Sequence, residues 1–434
     1  MTLLLMMMSL MLAAESPTIG ATPVEVTRQD DGHWTLVRGG EVFEVKGVGY
    51  GGPAGDGRLD ELAAMGGNAI RTWGVGNDTH VLLDDAHNNN VAVALGLWID
   101  HKGDPRKDEF RQRHLRKAES AAKKYGNHPA LSMWGIGNEG AMYFRGRPEG
   151  EAKERAYWTL VNEMSQAIKA IDPHHPTMTI SADLGPKAEV PRAFAEVLTD
   201  VDVWGINSYG GLASMAERVA EHGYEGPYVM TEYGTIGQWE MPKADFGPPV
   251  EMTSTAKADY LAGVYPQQIE AAPQCLGGFA FLWGHKQEAT QTYFGLMLPD
   301  GRFEGRVDVL QKHWTGAWPE DRAPRIEVLE VTGAMGTVQP GAEMTATVKA
   351  SDPDGDELAY RWELRQASGG KANFGRPEAS TALMEDEAVM TATGPSVTFH
   401  APIEPGPYRL FVFVGADGSD KAATANQLFN VAPE

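Results

Sequence analysis

The chain has 434 residues, with 37 Lys and Arg against 59 Asp and Glu and a formal charge of −22. That balance argues against a nucleic-acid partner, since polyanion binding draws its affinity from basic patches that release counterions; the one basic stretch, residues 102–124, sets its cations among acids at helical spacing, as a solvated helix face does. A hydrophobic fraction of 42% marks a globular chain whose length points to two domains, and a single cysteine, Cys275, excludes an intrachain disulfide framework and a Cys-rich zinc site.

Residues 1–12 (MTLLLMMMSLML) are almost wholly apolar and run into Ala13, Ala14, Glu15 and Ser16. This is the pattern of an apolar leader core and a small-residue cleavage zone. Residues 1–16 are therefore read as a signal peptide and the mature protein as exported, periplasmic or secreted. The apolar run is shorter than the roughly 20 residues that span a bilayer, and no later stretch is apolar enough, so the mature chain is expected to lack an integral membrane segment.

Residues 17–45 alternate around Asp30-Asp31-Gly32 and Gly39-Gly40, as a β-hairpin does. Eight short apolar runs then read as strands: 42–49, 68–73, 91–99, 130–138, 177–182, 201–208, 227–233 and 277–283. Each is followed by apolar residues at three- and four-residue spacing: 59–65, 80–88, 110–125, 152–171, 191–198, 212–222, 255–271 and 307–314. Eight strand–helix units predict a (β/α)8 TIM barrel over residues 42–318. A doubly wound open sheet is disfavoured, because Gly47, Gly49, Gly51 and Gly52 lack the spacing of a phosphate-binding turn.

Past Trp318-Pro319 and Ala323-Pro324 the helical period ends, and short alternating runs at 344–348, 359–364, 396–400 and 408–414 predict an all-β, immunoglobulin-like sandwich over residues 325–434. The turn Asp352-Pro353-Asp354-Gly355-Asp356 and the following Leu358-Ala359-Tyr360-Arg361-Trp362 resemble polycystic-kidney-disease-type and cadherin-like modules. The turn itself reads as a solvated hairpin rather than a calcium site.

A barrel carries its chemistry at the C-terminal ends of its strands, and those ends are polar here. Glu139 closes the fourth strand and Glu232 the seventh, on opposite sides of the mouth. Cleaving a glycosidic bond with retention needs such a pair, one acid to protonate the leaving oxygen and one carboxylate to attack the anomeric carbon. Asn138 can bond the neighbouring sugar hydroxyl, and Arg71 and Tyr209 can hold an ionised nucleophile. Trp73, Trp98, Trp134, Trp239 and Trp283 offer flat apolar faces of the kind sugar rings stack on.

The segments Gly47-Val48-Gly49-Tyr50, Asn68-Ala69-Ile70-Arg71, Trp134-Gly135-Ile136-Gly137-Asn138-Glu139, Ile206-Asn207-Ser208-Tyr209, Thr231-Glu232-Tyr233-Gly234 and Phe281-Leu282-Trp283, in this order, resemble the retaining glycoside hydrolases of clan A. The likeness is to the barrel domain of family two, with family five next, over residues 40–315. It implies Glu139 as acid/base and Glu232 as nucleophile, with Arg71 and Tyr209 supporting the nucleophile, Asn138 as the sugar-hydroxyl contact and Trp283 as the platform beneath the sugar. Trp73, Trp239, Tyr50 and Asp100 complete the substrate-binding candidates.

The chain departs from family two in its order, with only a short hairpin before the barrel and the sandwich after it. Substrate choice is expected in residues 234–253 and in the run His285-Lys286-Gln287-Glu288, with Glu288 and Asp100 as reserve carboxylates. His80, His101 and His285 show no ligand spacing, so neither a metal nor another cofactor is expected. Most other histidines, His174 and His175 included, are expected on the surface at the far end of the barrel. The function so read is hydrolysis, or transglycosylation, of β-linked oligo- or polysaccharides of neutral character. The alternative is a non-catalytic carbohydrate-binding or scaffolding protein.

Overall fold

The computed structural model describes residues 20–53, 55–56, 58–185, 189–368 and 378–433, so the expected leader lies outside the described residues. The chain begins with a small antiparallel sheet, β1 (Val24–Arg28), β2 (Trp34–Arg38) and β3 (Glu41–Val42), one short strand more than the expected hairpin. The first barrel strand accordingly starts later than expected, because Val42 belongs to β3. β4 (Val45–Tyr50), β5 (Ala69–Arg71), β6 (Ala92–Leu97), β7 (Leu131–Ile136), β8 (Thr177–Ala182), β9 (Val203–Asn207), β10 (Tyr228–Tyr233) and β11 (Cys275–Trp283) pair in parallel and close into a barrel, with β11 returning to β4.

The helices that return the chain are α1 (Arg58–Ala64), α2 (Thr79–Asn88), α3 (Asp108–Tyr125), α4 (Gly150–Lys169), α5 (Glu189–Glu196), α6 (Met215–Glu221), α7 (Ser254–Tyr265) and α8 (Gly305–Thr315). Their sequences explain their placing. In α4, Tyr157, Leu160, Val161, Met164 and Ile168 recur at helical spacing and are all buried. In α3, Asp108 and Glu109 open the helix and Lys123 and Lys124 close it, matching the helix dipole. α7 starts where the Thr253 hydroxyl accepts the Ala256 N–H at 3.1 Å.

Strand alternation divides the core in two. Val45, Ala69, Ala92, Met133, Ile180 and Phe279 fill the barrel interior, whereas Val48, Ile70, Leu95, Trp134 and Ile206 face outward against the helices. Val24 and Leu36 of the N-terminal sheet join the inner core from below. That sheet is bonded to the N-terminal ends of barrel strands: the Val24 N–H donates to the His174 carbonyl at 2.8 Å, the Trp34 N–H to Pro273 at 2.7 Å and the Arg38 guanidinium to Pro129 at 2.6 Å.

At this closed end the expectation for His175 is corrected, since it is 3% exposed. Its Nδ1 lies 2.9 Å from Asp172, whose carboxylate also accepts the Trp134 indole N–H at 2.8 Å. The histidine is drawn inside because a buried carboxylate needs partners.

Among the described residues, the last part of the chain is all-β apart from one short helix: β12 (Arg325–Val331), β13 (Thr337–Val338), β14 (Glu343–Ser351), β15 (Leu358–Gln366), α9 (Glu387–Thr391), β16 (Ser396–His400), β17 (Gly406–Ala416) and β18 (Ala422–Val431). The strands form two sheets, β12-β14-β16 and β13-β18-β17-β15, over a shared core that includes Met344, Trp362, Phe399, Val412 and Phe429. In the turn before β15, one oxygen of the Asp352 carboxylate, Oδ1, accepts the N–H groups of Asp354, Gly355 and Asp356 at 2.8, 3.0 and 3.2 Å.

This unit docks on the loops that follow β10 and β11. Phe411, Phe413 and Ala422 pack on Leu298, and Phe303 exchanges backbone bonds with Asp420 and Ala422 at 2.7 and 2.9 Å.

Candidate active site

The two carboxylates stand at the mouth for different local reasons. β7 is followed by Gly137, with φ of +72°, and Glu139, with φ of +53°; this left-handed turn folds the glutamate back over the barrel. The Glu139 N–H is pinned to the Ile180 carbonyl at 3.0 Å. On β10 a register shift between Met230 and Glu232 relative to β9 brings Glu232 to the mouth directly after Thr231, whose hydroxyl donates to Asn207 Oδ1 at 2.7 Å. The Glu232 carbonyl then accepts the Ser208 N–H at 2.9 Å.

Glu232 is 7% exposed, and its carboxylate accepts three hydrogen bonds. Arg71 Nη1 and Trp73 Nε1 donate to one oxygen at 2.9 and 3.0 Å, and the Tyr209 hydroxyl donates to the other at 2.9 Å. Three donors from three separate residues thus converge on this one carboxylate. Trp73 reaches this position past Gly49, where a Cβ would sit 2.9 Å from the indole ring.

Glu139 has a different setting. Its carboxylate accepts one side-chain bond, from Asn207 Nδ2 at 2.9 Å, and the same amide lies 3.2 Å from Asn138 Oδ1. Arg71 Nη2 donates to Asn138 at 2.5 Å, so one guanidinium ties the residue beside the first glutamate to the second glutamate. Burial and the charge of Glu232 push the Glu139 carboxyl up to about 7. The Tyr209 hydroxyl is raised well above its ordinary value by burial and by the same carboxylates, so it stays a donor.

Of the other expected site residues, Trp239 is 44% exposed and meets Tyr209 edge-on with ring centroids 5.3 Å apart. Trp98 is 38% exposed and extends the inward row of Ala92 and Ala94 to the rim; it packs on His101, which stacks on Tyr143 at 4.1 Å. Asp100 is exposed, and its carboxylate accepts the Lys102 N–H at 3.0 Å.

Two expectations are corrected. Trp283 is not a platform at the mouth: it is 2% exposed, its indole N–H donates to the Arg58 carbonyl at 2.9 Å, and it packs on Phe303. The cause is a register shift between Ala280 and Trp283 against β4, which puts Trp283 on the outward face. Phe281 is the aromatic that remains at the mouth, edge-on to Trp73 and Tyr209. Tyr50 shares the outward face with Val48, and its hydroxyl donates to the Pro53 carbonyl and to Asp56, both at 2.8 Å.

Asn207 stood in the sequence motif without a role, although its inward position on β9 could have marked it. Glu288 is buried against Lys286 at 2.6 Å and Gln238 at 3.1 Å. Among the described residues no group of three His, Cys, Asp or Glu side chains is placed to hold a metal, and no helix is long and apolar enough to cross a membrane.

No curated protein matches the chain. Among solved structures, β-glucuronidase 2 of Bacteroides uniformis, covalently bound to cyclophellitol-6-carboxylate aziridine, is 14% identical with a TM-score of 0.53, over 95% of this chain and 48% of its own. The β-D-glucuronidase of Dictyoglomus thermophilum is 16% identical with a TM-score of 0.50, over 69% of this chain and 54% of its own. The chain thus spans about half the length of these enzymes and shares their fold. Residues 78–240, from just before α2 to the loop after β10, match the family described as glycosyl hydrolases family 2, TIM barrel domain, and this matched stretch contains both Glu139 and Glu232.

Proposed function

We propose that the protein is a retaining β-glycosidase in which Glu139 is the acid/base and Glu232 the nucleophile. The observation that carries this reading is the asymmetry of the pair: Glu232 accepts three hydrogen bonds, whereas Glu139 accepts one and binds its proton up to about pH 7. In the first half-reaction Glu139 protonates the leaving oxygen while Glu232 attacks the anomeric carbon. The covalent intermediate removes the negative charge of Glu232, the Glu139 pKa falls, and Glu139 becomes the base that activates water or an acceptor hydroxyl.

Arg71 is ion-paired with Glu232 and Lys286 with Glu288, so neither presents a free charge to a uronate. A neutral β-linked sugar is therefore the proposed substrate, although the solved relatives named above are glucuronidases. Trp98 and Trp239, 38% and 44% exposed on the loops after β6 and β10, four places apart around the barrel, are the aromatics proposed to meet an oligosaccharide on either side of the pair.

The test is purified protein against β-glucosides, β-mannosides, β-galactosides, β-glucuronides and their oligosaccharides, with products read by mass and the first-formed anomer by NMR. Products of retained configuration are expected from a neutral sugar. Glycan binding without any product would overturn the reading in favour of a binding protein, and an inverted first product would overturn the double displacement.

A further inference from the structure

Lys286 occupies an unusual position. Its ammonium lies 4.8 Å from the centroid of Phe281, the ring that meets Trp73 and Tyr209, and both of those residues donate to Glu232. It is partly exposed and is held at 2.6 Å by Glu288, which is itself buried and bonded to Gln238. An ammonium has three donors, and one carboxylate oxygen occupies one of them.

The segment that carries this pair is held from the C-terminal domain. The Ala289 N–H donates to Glu378 at 3.0 Å, the Ala289 carbonyl accepts from the Ser368 hydroxyl at 3.0 Å, and Gln291 donates to Glu363 at 2.9 Å. Ala289 has a φ of +59°, a conformation an alanine keeps only when its surroundings impose it. Thr290 and Thr292 donate at 2.7 and 2.8 Å to Glu251, a buried carboxylate that also takes Asn426 of β18 at 2.7 Å. Arg409 of β17, in turn, bonds Asn426 and the Pro249 carbonyl.

We propose that Lys286 is a specificity-determining residue that donates to a hydroxyl of the sugar seated against Phe281 and Glu232, and that Ser368 and Glu378 of the C-terminal domain are positioning residues for it. The second domain is then a wall of the active site. This rests on the glycosidase reading above and names a recognition element of that same site.

The experiment uses the full-length chain, an aryl β-glycoside that the wild type hydrolyses, and its monodeoxy analogues. In the wild type, one deoxy analogue is expected to lose about 10- to 100-fold in kcat/KM, the range for a hydrogen bond to a charged donor. Lys286→Met should show a loss of that size on the parent glycoside, mostly in KM, and no further loss on that analogue. Ser368→Ala and Glu378→Ala, alone and together, should lose part of the same discrimination while their Tm and their kcat on the deoxy analogue stay at wild-type values.

Equal discrimination by Lys286→Met and wild type would overturn the assignment of Lys286. Full discrimination in the Ser368 and Glu378 variants would overturn the positioning role. A wild type that hydrolyses no glycoside would instead fail the underlying reading.

Discussion

The two ends of the barrel hold buried carboxylates in opposite ways. At the closed end Asp172 bonds both the His175 ring and the Trp134 indole and also accepts the His174 N–H at 3.0 Å, and the N-terminal sheet covers that end. At the open end Glu139 has a single side-chain donor, a left-handed backbone and a carboxyl whose proton affinity is raised by burial and by the charge of Glu232. A carboxylate whose bonds are all satisfied stabilises the fold; one left short of donors beside another negative charge is available for proton transfer. The same chemical group, a buried carboxylate, is thus structural at one end and, in the proposed reaction, the proton carrier at the other.

The largest effect that would test this contrast is at Glu232. Glu232→Gln should lose roughly 10⁴-fold or more in kcat, measured on the best glycoside, with the far-ultraviolet circular dichroism of the wild type. Residual turnover near the wild-type level would remove the nucleophile assignment.

Glu139→Gln should lose about 10²- to 10⁴-fold on substrates with poor leaving groups and much less on activated aryl glycosides. In the wild type, kcat/KM should fall as pH rises through about 7, where the acid loses its proton. The same shift bears on stability. The folded pKa lies above the unfolded value, so the unfolded state binds fewer protons between them and stability drops as pH rises through that window. Glu139→Gln should therefore raise Tm at pH 8 relative to wild type and give no such gain at pH 4, read by calorimetry.

At the closed end the outcome should be reversed. Asp172→Ala strands the Trp134 N–H and the His175 ring, so it should cost about 2–4 kcal/mol in denaturant unfolding while kcat per folded molecule is unchanged. A selective loss of kcat there would erase the distinction between the ends.

Smaller effects belong to the aromatics. Trp239→Ala should raise KM for oligosaccharides by about five-fold and for a short aryl glycoside much less, since one aromatic contact is worth on the order of 1 kcal/mol. Trp283→Phe should cost about 1 kcal/mol of stability through its lost bond to Arg58 and leave KM alone, which tests its removal from the mouth.

The alternation of apolar runs and helical spacing made all eight barrel strands legible, and the polar residues at their ends pointed to Glu139 and Glu232. What remained hidden depended on pairing register. Trp283 and Phe281 are two residues apart on one strand and end on opposite faces because the strand slips against β4 between Ala280 and Trp283, and no local pattern encodes that slip. Tyr50 was legible in principle, since strict alternation from Val45 places it outward. The distant partner of Glu288, Gln238, comes from the loop after β10, and those of the adjacent Ala289, Ser368 and Glu378, from the C-terminal sheets, contacts distant in sequence that composition does not reveal.

The N-terminal sheet has a directional consequence. Its bonds to the segments before β7, β8 and β11 place Gly20 at the closed end, opposite the mouth. An attachment made at Gly20, whether a reporter or a solid support, therefore holds the barrel by its base and leaves the rim that carries Glu139 and Glu232 on the opposite side.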